Sequence, residues 1–369
     1  MKQHNFSAGP SILPQSVFRQ AADAVIDFDG MGLSILEISH RSPQFTAVLE
    51  EAVALVRELL GLDENYEVLF LSGGASTQFF MTAMNLLRPG EKAYYLDTGT
   101  WSNKAIKEAR RFGEITVLAS SKEAGYTYIP KGVEVPADGR YLHLTSNNTV
   151  YGTQYHAWPE SPIPMVIDMS SDIFSRERDL SNVGILYAGA QKNMGPAGTT
   201  LVVIRRDMLR QDNDLPTMLD YHTHIAKNSS FNTPPVFPIF VSMLNMRWLR
   251  DQGGVAAMGR RNAAKAELLY ACIDRNPLYV GVVQPEDRSV MNAVFKLSDE
   301  SLTDAFLARC KDAGIAGLKG HRSVGGFRAS MYNALDIDSV RVLVDVMDTF
   351  AKEHGYGSDA VSGVQEIYH

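Results

Sequence analysis

Two cysteines in 369 residues, Cys272 and Cys310, are too few for a disulfide framework or a thiolate-rich metal centre. Both fall in helix-like segments without metal-type spacing, so buried, reduced thiols in a cytoplasmic protein are expected. Long hydrophobic runs are missing too. No stretch reaches the ~18 apolar residues of a membrane-spanning helix, and Met1 to Pro10 lack the apolar core of a secretory leader. The Asn-x-Ser/Thr triplets at Asn5, Asn147 and Asn228 therefore have no meaning as glycan sites. A positive charge excess is absent: 35 Lys and Arg stand against 42 Asp and Glu, a net charge of -7. Nucleic acid and anionic membrane are thus not expected partners, and an anionic ligand has to be met by a local cluster. Internal repeats, low-complexity segments, G-x-G-x-x-G and the Walker loop are all missing, so dinucleotide and nucleoside triphosphate readings lose support.

What is present is alternation. Apolar side chains at 45, 48, 49, 52, 53, 56, 59 and 60 follow a helical period that Gly61 stops. A strand at Tyr66 to Leu71 breaks into Ser72-Gly-Gly-Ala-Ser-Thr77 and a helix to about Leu87. Strand-like 92–97, 114–119, 140–145, 164–168, 185–188 and 200–204 follow, with a helix near 102–112. Short buried strands joined by helices or long connections predict an α/β fold, a mostly parallel central sheet covered by helices. Beyond about Gly253 the pattern changes: a long helix at 255–275, a strand at 292–297, and helices near 301–313 and 337–353 predict a smaller C-terminal α+β domain. The expected division is an N-terminal arm at 1–14, a large domain at 15–250, a small domain at 251–357 and a tail at 358–369.

Lys192 lies in the run Tyr187-Ala-Gly-Ala-Gln-Lys-Asn-Met-Gly-Pro-Ala-Gly198, among small residues that let backbone crowd a ligand. The strand-like Pro164-Met-Val-Ile-Asp168 ends on an acid upstream of it. A lysine that carries a cofactor as an imine, and a carboxylate that keeps a pyridine nitrogen protonated, are what pyridoxal phosphate chemistry needs. A free lysine, with a pKa of about 10.4, is a poor nucleophile at neutral pH. Asp168 is equally readable as a cap of the Ser170-Ser171 turn. The Ser72–Thr77 loop reads either as a phosphate cradle at a helix N-terminus or as simple capping by Ser76 or Thr77. Trp101 can stack on a flat heterocycle or anchor its helix. His40-Arg41, and the segment from Gly320 to Arg328 with His321-Arg322, supply paired donors for carboxylate or phosphate, with solvated surface charge as the plain alternative. His222-Thr-His224 has no third ligand nearby, so no metal is expected.

Together these stretches resemble the phosphoserine aminotransferases, pyridoxal-phosphate enzymes of fold type I. The resemblance covers about residues 5–356 and is carried by Phe6-Ser-Ala-Gly-Pro10, Ser39-His-Arg41, Tyr187 to Asn193, Phe231-Asn-Thr-Pro-Pro235, and Gly320 to Ser330. It implies that Lys192 bears pyridoxal 5′-phosphate, with Asp168 on the pyridine nitrogen and Trp101 on the ring. Thr149 would meet the phenolic oxygen; Ala75, Ser76 and Gln191 would hold the phosphate. Asn232 and Thr233 would reach that phosphate from a partner subunit, making a homodimer the catalytic unit. Arg328 would hold the substrate α-carboxylate; His40, Arg41, His321 and Arg322 would hold the substrate phosphate, the last two across the dimer interface. The implied reaction moves an amino group between L-glutamate and 3-phosphohydroxypyruvate, giving O-phospho-L-serine and 2-oxoglutarate, with a phosphorylated hydroxythreonine of vitamin B6 synthesis as a second candidate. Some relatives carry arginine where this chain has Ser76, which leaves the cofactor phosphate more dependent on backbone N–H groups. Asn148 replaces an acid of some relatives, and the tail has no counterpart. The rival readings are another fold-type I enzyme, such as an alanine–glyoxylate aminotransferase or a cysteine desulfurase, and a binding protein that kept the fold. A desulfurase needs a cysteine in a mobile loop, which neither Cys272 nor Cys310 provides. An alanine–glyoxylate enzyme has no use for two His-Arg pairs.

Overall fold

The computed structural model describes residues 2–211 and 214–356; the expected tail at 358–369 lies outside the described residues. A short strand, β1 (His4–Asn5), opens the chain, followed by helices α1 (Gln15–Ile26) and α2 (Pro43–Leu60). In α2 the Ser42 side chain accepts from the Phe45 N–H and Pro43 takes the first helical position, where its missing N–H costs nothing. Gly61, at φ 63°, ends the helix in the left-handed region. Then come β2 (Tyr66–Leu71), α3 (Gly74–Leu86), β3 (Lys92–Asp97), α4 (Thr100–Ala109), β4 (Glu114–Ser120), β5 (Leu142–Thr145), β6 (Met165–Asp168), β7 (Val183–Gly189) and β8 (Thr200–Arg205).

These strands form one seven-stranded sheet in the order β2-β8-β7-β6-β5-β3-β4, with β8 antiparallel to both neighbours and the remaining pairs parallel. The expected α/β fold is therefore present. Central strands are buried on both faces, and their alternate side chains feed two cores. Leu144, Ile167 and Leu186 join the core that includes α1, α2 and α6 (Val236–Asp251). Val166, Ile185 and Tyr187 face the opposite core, against α3 and α4. Each fully buried aliphatic side chain contributes about 1.5–3 kcal/mol by leaving water.

After the short α5 (Tyr221–Ala226) and α6, the chain continues as α7 (Gly254–Arg275), β9 (Tyr279–Gly281), β10 (Asn292–Leu297), α8 (Thr303–Asp312), β11 (Ile315–Ala316), β12 (Phe327–Ser330) and α9 (Ile337–Glu353). Strands β12-β10-β9 make a small antiparallel sheet. Phe306 sits at the centre of a third core, with ring centroids 5.0 Å from Phe327 and 5.2 Å from Phe350. The N-terminal arm is knitted into this part: β1 pairs in parallel with β11, and Phe6 is fully buried in the same core.

Three helices, α1, α5 and α6, were not legible in the sequence. Helix α6 buries Ile239 to Met246 without a break, so its apolar residues show no helical period. Helix α1 begins directly after the Gly- and Pro-rich arm at 1–14, and α5, six residues long, is too short to show a period.

Candidate active site

Parallel strands end along one edge, and in open α/β sheets that edge holds the ligand. Thr145, Asp168 and Tyr187 lie side by side there, at matching register on β5, β6 and β7. Asp168 is 4% exposed, and its Oδ1 accepts from the Ser170 N–H at 2.9 Å. Burial raises its pKa, opposed by hydrogen bonds from Ser170 and by the charge of Lys192. A desolvated carboxylate with so little compensation is suited to a cationic ligand.

Lys192 follows β7 in a tight turn, where the Met194 and Gly195 N–H groups both donate to the Ala190 carbonyl. The small residues after it serve packing: a Cβ on Gly195 would come 2.2 Å from Ser242 Oγ on α6. The Lys192 ammonium donates to Thr149 Oγ1 at 2.6 Å and lies 5.4 Å from the Trp101 ring centroid. Burial lowers its pKa to about 8; Asp168 pulls the other way and Arg328 adds to the depression. The N-terminal arm braces this turn, a role not anticipated for it. Ser11 donates its hydroxyl to the Lys192 carbonyl and its N–H to the Gln191 carbonyl, the latter at 3.0 Å. Gly9, at φ +140°, passes so close that a Cβ there would lie 3.1 Å from Lys192 Cγ. The Gly-Pro pair in the arm was the available signal.

Arg328, on β12, reaches across to donate to the Thr149 carbonyl at 3.2 Å, while its buried Nε lacks a partner. Trp101, in the first turn of α4, likewise has a buried, unpartnered Nε1. Asn148 does not reach this site. It is buried beneath the loop before Trp101, donating to Thr98 Oγ1 at 3.1 Å and Thr153 Oγ1 at 3.0 Å. Ala75 and Ser76 occupy the first turn of α3, which has no side-chain cap, so its leading N–H groups are available to an anion. Thr77 Oγ1 bonds the Gly73 carbonyl at 2.9 Å instead of capping the helix.

His321 feels Arg328, Arg322 and Lys104; burial first, and then these cations, lower its pKa. Arg322 is exposed. Within the single chain His40 and Arg41 lie elsewhere, lining a cavity of about 480 Å³ with Arg57, Lys227 and Ser230. Asn232 and Thr233 are exposed. His222 and His224 turn to the carbonyls of Arg210 and Met218 at 2.7 and 3.0 Å. The convergent residues, then, are Lys192, Asp168, Thr149, Trp101 and Arg328. A desolvated amine, a buried acid, orphaned donors and an uncapped helix N-terminus together suit a planar, anionic aldehyde.

The chain belongs to the class-V aminotransferase family, whose profile matches residues 3–343. Within that class it falls in the phosphoserine aminotransferase family. The phosphoserine aminotransferase of Flavobacterium johnsoniae is 58% identical over 349 residues, covering 94% of this chain and 98% of that one. The solved phosphoserine aminotransferase of Bacillus circulans subsp. alkalophilus has 44% identity and a TM-score of 0.93, covering 96% of this chain and 99% of that one. A PLP-bound phosphoserine aminotransferase from Trichomonas vaginalis has 36% identity and a TM-score of 0.90, over 94% and 99%. The resemblance read from the motifs holds.

Proposed function

We propose that this chain transfers an amino group between L-glutamate and 3-phosphohydroxypyruvate, giving O-phospho-L-serine and 2-oxoglutarate in a ping-pong cycle that uses pyridoxal 5′-phosphate. The observation that carries this reading is the meeting of Lys192, Asp168, Thr149 and Arg328 at one sheet edge, in a chain 58% identical to a phosphoserine aminotransferase. When bound, the cofactor supplies an aldehyde that exchanges amines and a ring that draws electrons from the substrate's Cα.

The residues divide the remaining work. Lys192, with a pKa of about 8, has a substantial neutral fraction near physiological pH and can take the proton from Cα and return it. Asp168 holds a fixed negative charge for the ring nitrogen, Trp101 offers a stacking face, and Thr149 meets the phenolic oxygen. Ala75, Ser76 and Gln191 hold the cofactor phosphate, aided by Asn232 and Thr233 of a second copy. Arg328 takes the α-carboxylate of either substrate. His40 and Arg41, joined by His321 and Arg322 of a second copy, form a pocket that accepts phosphate in one half-reaction and the glutamate side-chain carboxylate in the other. Several separate donors suit that double duty better than one fixed pair does.

A homodimer is part of this reading, supported by large apolar side chains left exposed at Phe18, Ile26, Met31, Leu33 and Leu36. Free, buried Cys272 and Cys310 support a cytoplasmic setting. The division into a cofactor-binding domain at 15–250 and a small domain at 251–357 is supported by the separate cores. Phosphorylated hydroxythreonine, as 4-phosphohydroxy-L-threonine, is a second candidate substrate on the same phosphate contacts.

The test is substrate discrimination. Arg41→Ala and Arg322→Ala should each lower kcat/KM for 3-phosphohydroxypyruvate by about tenfold to a hundredfold, as lost charge-assisted bonds do, and affect pyruvate far less. Equal losses on both, or none, would assign the chain a different keto acid.

A further inference from the structure

Three consecutive carbonyls follow the Asp168 turn, and each is held by an asparagine amide from a different part of the chain. Asn193, next to Lys192, donates to the Ile173 carbonyl at 2.6 Å. Asn333 donates to the Phe174 carbonyl at 3.0 Å, and Asn262 of α7 donates to the Ser175 carbonyl at 2.9 Å. The asparagines are also tied to one another. The Asn333 N–H donates to Asn193 Oδ1 at 2.9 Å, and Asn262 Nδ2 donates to Asn333 Oδ1 at 2.8 Å. All three are buried. Phe174, in the middle, sits at φ 58°, a conformation that a bulky side chain adopts only when its surroundings hold it.

Asn333 belongs to the turn at 331–335 that leads out of β12, the strand of Arg328. That turn is itself fixed by Lys265, 2% exposed, whose ammonium donates to the carbonyls of Met331, Tyr332 and Leu335 at 2.9, 2.8 and 3.1 Å. Burying an ammonium and three amides costs desolvation that apolar packing avoids; what such a network adds is one defined geometry. Its three ends are the Arg328 strand, the turn of Lys192 and the segment after Asp168.

We propose that Asn333 is a positioning residue: it sets the spacing between the arginine that receives the substrate carboxylate and the lysine that moves the proton, with Lys265 holding Asn333 in place. This rests on the reading of Arg328 and Lys192 given above.

Asn333→Ala keeps the backbone bond to Asn193 and removes both side-chain bonds. Binding of maleate, an unreactive dicarboxylate, to the holoenzyme is measured by calorimetry, alongside steady-state constants for glutamate and thermal unfolding. Misplacing the carboxylate site should raise the maleate Kd and the glutamate KM about tenfold, with kcat within about threefold of wild type. Lys265→Met should do the same. A lowered Tm with unchanged Kd and KM overturns the proposal, since a purely structural role predicts that outcome. If Asn333→Ala does not fold, Asn262→Ala removes one of the two side-chain bonds of Asn333, the one to its Oδ1, and is judged by the same two constants. Wild-type protein that neither binds maleate nor transaminates would remove the underlying reading, and this proposal with it. Wild type that does both, with variants that match it, removes the positioning role alone.

Discussion

The Lys192 ammonium donates to the Thr149 hydroxyl at 2.6 Å, and the carbonyl of that same threonine accepts from Arg328 at 3.2 Å. One residue thus meets both the amine and the guanidinium, and the amine is the group whose ionisation burial disturbs most usefully. Lowering the Lys192 pKa from 10.5 to about 8 means the neutral form dominates above that pH. In cofactor-free protein, reductive methylation of Lys192, followed by peptide mass spectrometry, should therefore rise through a midpoint near pH 8, well below that of surface lysines. Thr149→Val removes the acceptor that favours the charged form, so its midpoint should lie lower still. A midpoint near 10.5 would contradict the desolvation argument.

Asp168 makes the opposite kind of prediction. Its folded pKa is raised above the ordinary 3.8, so between the two values the folded state holds a proton that the unfolded state lacks. The ionised carboxylate therefore costs stability as pH rises through that window and beyond. Cofactor-free Asp168→Asn should melt above wild type near pH 7.5, with the gap closing toward pH 4, while turnover falls by about a hundredfold to a thousandfold. Calorimetric scans across pH check the first part and steady-state assays the second.

Arg328→Lys keeps the charge but loses the planar fork. If the α-carboxylate is held in two parallel bonds, kcat/KM should fall for glutamate and for the keto acid together, by about tenfold to a hundredfold. A loss confined to one substrate would move Arg328 to a different contact.

Phe306→Ala tests the small core. The side chain is fully buried and meets Phe327, Phe350 and Tyr279, so its removal should cost about 3–5 kcal/mol in denaturant titrations. Phe295, against Phe327 at 5.3 Å, is expected to behave similarly.

Amphipathic helices were readable because one face of each differs from the other, and the central strands because each is a short apolar run buried on both faces. The helix at 44–60 and the strand at 292–297 emerge as α2 and β10, nearly to the residue. Helix α6 was invisible because it is buried almost all round. Lys192 and Asp168 were found because each sits at a strand end, and parallel strands carry their ends to the same edge. The arm residues Ser11 and Gly9, and the asparagines at 193, 262 and 333, carry no periodic signal; only the fold brings them together. For His40, Arg41, Asn232 and Thr233 the sequence gives a residue type suited to phosphate. The copy of the chain in which each would act is implied by the family resemblance and not by the residue types themselves.

The most direct measurement is mass mapping of the protein loaded with pyridoxal phosphate and reduced with borohydride. The account predicts a single phosphopyridoxyl adduct on the peptide containing Lys192, and none in Lys192→Ala, which should also lack visible absorption and turnover. An adduct on another lysine, or turnover retained by Lys192→Ala, would contradict it.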